Sequence, residues 1–215
     1  MHIRMQIIDL LDVKKCLGML VASFGLKIPF DPEAAEEFFY CRQYGRCIGE
    51  IKRHFGIGLT LRVQHIRDQR EGIWFPRDFP IDSLLISRYY DEKREPALVG
   101  TNDSLRLFGT KAFENSTLML YLHPTAKEGS FEQFAAVIGH QMAHILLHAT
   151  FHPLRRSEVA TDLLAMVMGF HAIIHGANIQ SSGKIGYLHE DVCSFAFGLI
   201  NKRLGEKVIS VDLAE

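Results

Sequence analysis

The sequence is poor in cysteine, balanced in charge and without long apolar runs. Its four cysteines, in 215 residues, include no C-x-x-C pair, so a cysteine-based zinc knuckle is not expected. The formal net charge of -1 gives no reason to expect binding to nucleic acid or to an anionic membrane. Charged residues interrupt the apolar N-terminal segment, and no run approaches the roughly 18 apolar residues of a membrane span. These absences predict a cytoplasmic protein with free thiols and no membrane segment.

Length and composition favour a single globular domain. A chain of 215 residues with 47% hydrophobic and 23% charged residues has the composition of globular proteins. It is long enough to bury a core without disulfides or a structural metal. We therefore expect one domain over residues 1–215, in which 1–55 form an N-terminal helical region and 56–215 form a sheet with further helices. Nothing in the sequence indicates an oligomeric state.

Hydrophobic spacing and turn residues predict a mixture of helices and strands. Helices are expected over residues 1–25, from about 32 to 40 with a continuation toward 54 left open, and over 131–152, 157–170 and 188–204; strands are expected over 58–65, 84–86 and 116–122. Gly25 and Gly205 are expected to end helices, and Ser130 with Gln133 forms a capping-box pattern. Residues 176–186 are expected to be a loop. The predicted class is α+β, with a small mixed or antiparallel sheet packed against a central helix and with additional N- and C-terminal helices.

Histidine is the unusual residue of this sequence. Eight of the eleven histidines lie between residues 123 and 189, and four lie within 140–152. His140 and His144 stand four residues apart on a predicted helix, so their side chains project in nearly the same direction, one turn apart. This spacing lets two imidazole nitrogens meet one zinc ion. Apolar neighbours such as Ile138, Ala143 and Ile145 predict that the pair is partly buried, and buried imidazoles need partners that a metal supplies.

Two acidic residues follow at the same spacing. Glu158 and Asp162 are four residues apart at the start of the next predicted helix, so they too share a face. Pro153 ends the first helix, and the short turn after it lets the second helix fold back on the first. One carboxylate would then complete a three-ligand metal site, and the other would accept the N–H of a ligand histidine. Glu158 is the expected ligand, with Asp162 as the alternative.

The pattern H-x-x-x-H followed by E-x-x-x-D resembles the gluzincin branch of zinc metallopeptidases, whose signature is H-E-x-x-H. The segments TDLLAMVMGF and GYLHEDVCSFAFGLI are also similar to a set of uncharacterised bacterial proteins of this type, so the resemblance covers residues 137–200. It implies a zincin-like fold and a zinc ion bound by His140, His144 and Glu158. It also implies that Asp162 orients a ligand histidine and that the substrate is a protein or a peptide.

The sequence departs from that signature at position 141, where a glutamine follows His140. In H-E-x-x-H enzymes the glutamate takes a proton from the metal-bound water and passes it to the leaving amine. The amide of Gln141 can hydrogen-bond that water but cannot take its proton. Loss of a general base typically lowers the rate by about 10²- to 10⁴-fold. The chain as written is therefore expected to bind zinc and to hydrolyse substrate poorly or not at all.

Two origins of Gln141 are compatible with the sequence. It is either an engineered replacement of a parental glutamate, which we favour because the rest of the site is present, or the native residue of a pseudo-peptidase. The first origin predicts an inactivated metallopeptidase, and the second predicts a zinc-containing module that binds polypeptide without cutting it. A structural zinc site without an open position is a third hypothesis.

Two further histidines continue the same helix. His148 points about 80° away from His140 on an ideal helix, and it is an alternative ligand if Glu158 is too far away. His152 precedes Pro153 and is expected to cap the end of the helix.

Other candidates lie outside the histidine helix. Tyr187 is the expected donor to the oxyanion of a tetrahedral intermediate, with His189 as the reserve. The strand over 116–122 would pair with an extended peptide substrate if it is a sheet edge. Cys193, among apolar neighbours, is expected to be an inert core thiol.

Overall fold

A computed structural model describes residues 10–65, 68–69, 72–73, 97–99, 105–122, 124–180 and 188–212. The helices are α1 (Leu10–Phe24), α2 (Glu33–Tyr40), α3 (Tyr44–His54), α4 (Lys111–Glu114), α5 (Phe131–Ala149), α6 (Glu158–Ala165), α7 (His171–Gln180) and α8 (Glu190–Asp212), with a 3-10 turn at Pro124–Lys127 and a π-helical segment at Met166–Phe170. The strands are β1 (Thr60–His65), β2 (Asp68–Gln69), β3 (Gly72–Ile73), β4 (Ala97–Val99) and β5 (Thr117–Leu122). The expected α+β mixture is present and is rich in helix. The predicted strand over 84–86 lies outside the described residues.

The N-terminal helices follow the apolar pattern, with one break that the sequence left open. Helix α1 ends at Gly25, which takes the positive φ of 70° that glycine adopts at little cost. The continuation of the second helix toward residue 54 is interrupted, because Arg42 also takes a positive φ, of 58°, and separates α2 from α3. The backbone N–H of Gln43 donates to the carbonyl of Phe38 across this turn. Two short helices therefore replace one long one.

The main sheet is three-stranded, in the order β1-β5-β4. Strands β1 and β5 pair in parallel over six residue pairs, from Thr60 opposite Thr117 to His65 opposite Leu122, whereas β4 and β5 are antiparallel. Of the two expected forms, mixed or antiparallel, the antiparallel one is wrong and the sheet is mixed, because the long connection between β1 and β5 permits a parallel crossover. Strand β5 lies between the other two, so it is not the edge that the peptide-pairing hypothesis requires.

Helix α5 occupies the centre of the described structure. Its N-terminus carries the predicted capping box, in which Ser130 Oγ accepts the N–H of Gln133 while the Gln133 side chain accepts the N–H of Ser130. The helix packs against α2, α3, α6, α7 and β4. Gly139 permits one close approach, since a Cβ there would lie 3.1 Å from the ring of Phe170. The end predicted before Pro153 is confirmed, because the helix stops at Ala149.

The chain that returns from α5 is broken once. Helix α6 passes into the π-helical segment, where Gly169 has a φ of 99° and interrupts the helix before α7 begins. The N-terminal segment docks on this break, because the N–H groups of Lys27 and Phe30 donate to the carbonyls of Val167 and Gly169. His54 Nε2 lies 2.7 Å from a third carbonyl of the break, that of Met168. The N-terminal segment is thus bound directly to the π-helical segment between α6 and α7.

Two boundaries near the C-terminus differ from the sequence expectation. Residues 176–180 are helical and Ala177 is fully buried, so the predicted loop is wrong over its first part; residues 181–186 lie outside the described ranges. Helix α8 does not end at Gly205 but continues to Asp212. Gly205 lacks the positive φ of a helix-ending glycine, and an added Cβ there would meet open space.

The stretch Glu158–Ile179 is long and apolar enough to cross a membrane by length and composition alone. The expectation that no segment reaches this length is therefore wrong on those two measures. In the structure 78% of its most apolar window is buried inside the protein, as in a core helix.

Candidate metal centre

Helix α5 presents two imidazole rings side by side. His140 and His144 lie one turn apart, with ring centroids 4.7 Å from each other and planes at 81°. His140 is buried with 7% exposure, whereas His144 is half-buried. The two rings lie on the same face of the helix, as the four-residue spacing predicts. The ring of His140 is the more deeply buried of the two.

The third group comes from the first residue of α6. Glu158 Oε2 lies 3.2 Å from His140 Nε2 and 3.0 Å from His144 Nε2. Two atoms that each bind one zinc ion at 2.0–2.1 Å with tetrahedral geometry are about 3.3 Å apart. The observed spacings are close to that value, and ligand atoms of all three residues lie within 4.8 Å of one another. The three residues form a group that can hold a metal ion.

Asp162 lies one turn further along α6 and contacts the other side of His140. Its Oδ1 atom is 2.6 Å from His140 Nδ1, and both side chains are buried. The Nδ1–H of His140 donates to this carboxylate, which orients the ring so that Nε2 faces Glu158. Of the two acids, Glu158 therefore contacts both histidines at Nε2, and Asp162 contacts only His140, at Nδ1.

The charges at this group are strongly coupled. Burial disfavours the protonated form of His140, but the carboxylates of Asp162 and Glu158 outweigh it and raise its pKa to about 10. Burial likewise opposes the Glu158 anion, yet hydrogen bonds from His140 and His144 lower its pKa well below the ordinary value. Without a metal, the raised pKa favours a protonated His140 between two carboxylates, and a metal ion bound at Nε2 would have to displace a proton.

Gln141, the predicted catalytic position, follows His140 on α5 and is buried with 3% exposure. On an ideal helix it lies about 60° from His144 around the axis, so it flanks the histidine face. Position 141 is where the H-E-x-x-H signature carries its glutamate.

The other candidates fall outside the group. Tyr187 lies outside the described residues. His189 is exposed at the start of α8, with Nδ1 3.6 Å from Asp191 Oδ2. The ring of His148 is 6.3 Å from that of His144, and it is not a member of the three-residue group.

None of the four cysteines belongs to the group of residues that can hold a metal ion. Cys193 is fully buried, as predicted, and burial together with the nearby Asp162 charge raises its pKa to about 11. Burial also raises the pKa of Cys16 to about 11 and that of Cys47 to about 12, and Cys41 is exposed. All four are free thiols, and those with raised pKa values are poor nucleophiles.

Comparisons of the chain with models of known protein families, with curated proteins and with solved structures gave no match. The resemblance to gluzincins therefore depends on the residues of the chain itself.

Proposed function

We propose that this protein carries a zinc-dependent metallopeptidase site of the gluzincin type, silenced by Gln141. The observation that carries the proposal is the convergence of His140 Nε2 and His144 Nε2 on one Glu158 oxygen, at 3.2 and 3.0 Å. Three protein ligands of this kind are the set of catalytic zinc sites, which keep a further position open for water or substrate. The natural substrate would be a protein or peptide, and the compartment would be the cytoplasm.

Each residue then has a separate task. His140, His144 and Glu158 would bind the ion, and Asp162 would hold the ring of His140 through its Nδ1–H. A bound zinc ion would polarise the substrate carbonyl and lower the pKa of a bound water molecule. A carboxylate at position 141 could accept a proton from that water, whereas the amide of Gln141 cannot.

The test restores the carboxylate. The Gln141→Glu variant, loaded with Zn²⁺, is compared with the unsubstituted Gln141 chain, here termed wild type, on a mixture of fluorogenic peptides and on unfolded casein. We expect hydrolysis to rise by about 10²- to 10⁴-fold, the usual contribution of a general base. The double variant Gln141→Glu/His144→Ala is the matched control, since it has the base but lacks one proposed ligand, and it should stay inactive.

Two results would count against a silenced peptidase. The first is a Gln141→Glu chain that binds zinc and shows no gain over wild type. The second is equal activity of the single and double variants, which would trace hydrolysis to something other than this site.

One observation favours a second candidate function. The chain as it stands carries a buried amide at position 141, next to an otherwise complete ligand group. A natural pseudo-peptidase of this composition would bind zinc and a polypeptide segment without cutting it. Zinc binding with no gain of hydrolysis in Gln141→Glu would favour this module, whereas a closed shell of four protein ligands would indicate a purely structural site.

A further inference from the structure

His152 lies where the end of α5, the turn before α6 and helix α1 meet. Only 6% of its surface is exposed, and its ring centroid is 5.7 Å from that of Phe24 on α1. Its Nε2 atom is 3.3 Å from Ser23 Oγ, and the backbone N–H of Leu154 donates to its Nδ1 atom at 3.2 Å. One side chain therefore links the turn to a helix that is 129 residues away in sequence.

The two ring nitrogens of His152 have opposite roles. Because Leu154 contributes an N–H, Nδ1 is the unprotonated acceptor, and the neutral ring carries its hydrogen on Nε2. Nε2–H then donates to Ser23 Oγ. An acceptor that receives the N–H two residues later reproduces the hydrogen bond of an Asx-turn, with an imidazole nitrogen in place of a side-chain oxygen. The side chain thus shapes the turn as an asparagine would.

The backbone of His152 holds the same turn from both sides. Its N–H donates to the carbonyl of Leu147 at 2.9 Å, which closes the end of α5. Its carbonyl accepts the N–H of Arg155 at 3.1 Å. Two residues further on, Ser157 caps α6, whose first residue is Glu158. The path from the last turn of α5 to the carboxylate of Glu158 therefore runs through His152.

We propose that His152 is a positioning residue: its imidazole holds the α5–α6 turn in the form that places the Glu158 carboxylate against His140 and His144. This inference rests on the proposed function, since it takes the same three ligands as given. It assigns His152 more than the helix-capping role expected from the sequence. The Nδ1 acceptor shapes the turn, and the contact with Ser23 fixes the turn to α1.

The experiment compares His152→Leu, which removes the acceptor, with His152→Asn, whose Oδ1 can accept the N–H of Leu154. His175→Leu is the matched control, because His175 is a partly exposed histidine outside the group. Zinc affinity is measured by chelator competition, and the visible spectrum of bound Co²⁺ reports the ligand geometry. The ring ¹H–¹⁵N resonances of His140 and His144 are recorded in the metal-free chains.

We expect zinc binding to weaken about 10-fold in His152→Leu, as for loss of a group that orients a ligand, and to stay within about threefold of wild type in His152→Asn and His175→Leu. The Co²⁺ spectrum and the ring resonances should change only in His152→Leu. A merely stabilising histidine would not give this rescue, because asparagine is too short to contact Ser23 and restores only the turn.

Two outcomes would overturn the proposal. Unchanged affinity and unchanged ring resonances in a folded His152→Leu chain would show that Glu158 needs no such support. A His152→Asn chain that folds but binds zinc more than about 10-fold more weakly, or that does not fold, would assign His152 a general folding role. If His152→Leu does not fold, the asparagine variant decides alone. A wild-type chain that binds no zinc would refute the proposed function, and the metal-free resonances would still test the positioning.

Discussion

Histidines four residues apart recur in the chain, and two such pairs, one on α5 and one on α7, meet very different surroundings. His140 and His144 on α5 face the carboxylates of α6. His171 and His175 on α7 face α8, where His175 Nε2 is 3.2 Å from Ser194 Oγ and its ring stacks on Phe197 at 4.3 Å. Within the described ranges, only the first pair belongs to a group of three residues that could hold a metal. The spacing H-x-x-x-H therefore does not by itself produce a metal-binding group. The side chains on the facing helix determine whether the pair has a third ligand.

The buried ring of each pair responds to its neighbours in the opposite direction. Two carboxylates raise the pKa of His140 to about 10 despite its burial. Burial lowers the pKa of His171, although a hydrogen bond with Asn201 partly offsets it. A buried histidine is thus charged where acids surround it and neutral where aromatic and amide groups do.

The largest expected effect lies at the break that separates the two pairs. An alanine at Gly169 would be held at a φ of 99°, and its Cβ would overlap the carbonyl oxygen of Ile28. We expect Gly169→Ala to lower the free energy of unfolding by about 2–5 kcal/mol, from backbone strain and overpacking together. Gly176→Ala is the control, because it lies inside α7 with open space around it, and it should stabilise by about 0.5–1 kcal/mol.

Urea unfolding of both variants measures these free energies. Equal effects of the two substitutions would show that the break at Gly169 does not set the course of the returning helix.

A smaller effect is expected when the support of the first pair is weakened. Asp162→Asn leaves an oxygen that can accept from His140 Nδ1–H but removes the negative charge. Zinc affinity should fall about 10- to 100-fold, as is usual for partners of metal-bound histidines. Asp191→Asn is the control, because Asp191 is exposed and lies beside His189, outside the group. Calorimetric titration with Zn²⁺ distinguishes them, and equal affinities in the two variants would remove Asp162 from the account.

The smallest expected effect is in the acid range of the metal-free chain. The folded-state pKa of His171 is lowered, so its contribution to stability is present above about pH 6.5 and is lost as the pH falls through the folded value. His54 and His152 act in the same direction. His140 adds little to the pH dependence of stability in this range. Because its pKa is raised, its contribution is lost only as the pH rises from about 6.5 toward about 10.

Unfolding of the metal-free chain between pH 7 and pH 5 measures this slope. The free energy of unfolding should decrease as the pH is lowered in wild type. It should decrease less in His171→Gln, because glutamine does not titrate. An identical slope in both chains would mean that His171 is already exposed to water.

The sequence predicted what depends on local pattern. The capping box at Ser130, the end of α5 before Pro153 and the shared face of His140 and His144 follow from spacing along one helix. The approach of Glu158 to the two histidines was predictable, because Glu158 and Asp162 share one face of a helix that follows α5 after a short turn. Sequence spacing alone would have singled out His171 and His175 equally well.

Contacts between residues far apart in the chain could not be predicted from local sequence patterns. The parallel pairing of β1 with β5 joins segments far apart in the chain. Gly205 was expected to end α8, yet the helix continues through it, because glycine permits a left-handed turn without imposing one. The contact between His152 and Ser23 joins residues 129 positions apart, which no local pattern connects.

Zinc titration of wild type, His144→Ala and His175→Ala shows whether the histidine pair on α5 binds the metal. We expect one zinc ion per chain in wild type and in His175→Ala, and affinity weakened by more than about 100-fold in His144→Ala, since a direct ligand contributes at least as much as a group that orients a ligand. Unchanged binding in His144→Ala, or equal loss in both variants, would contradict the assignment of the metal to the first pair.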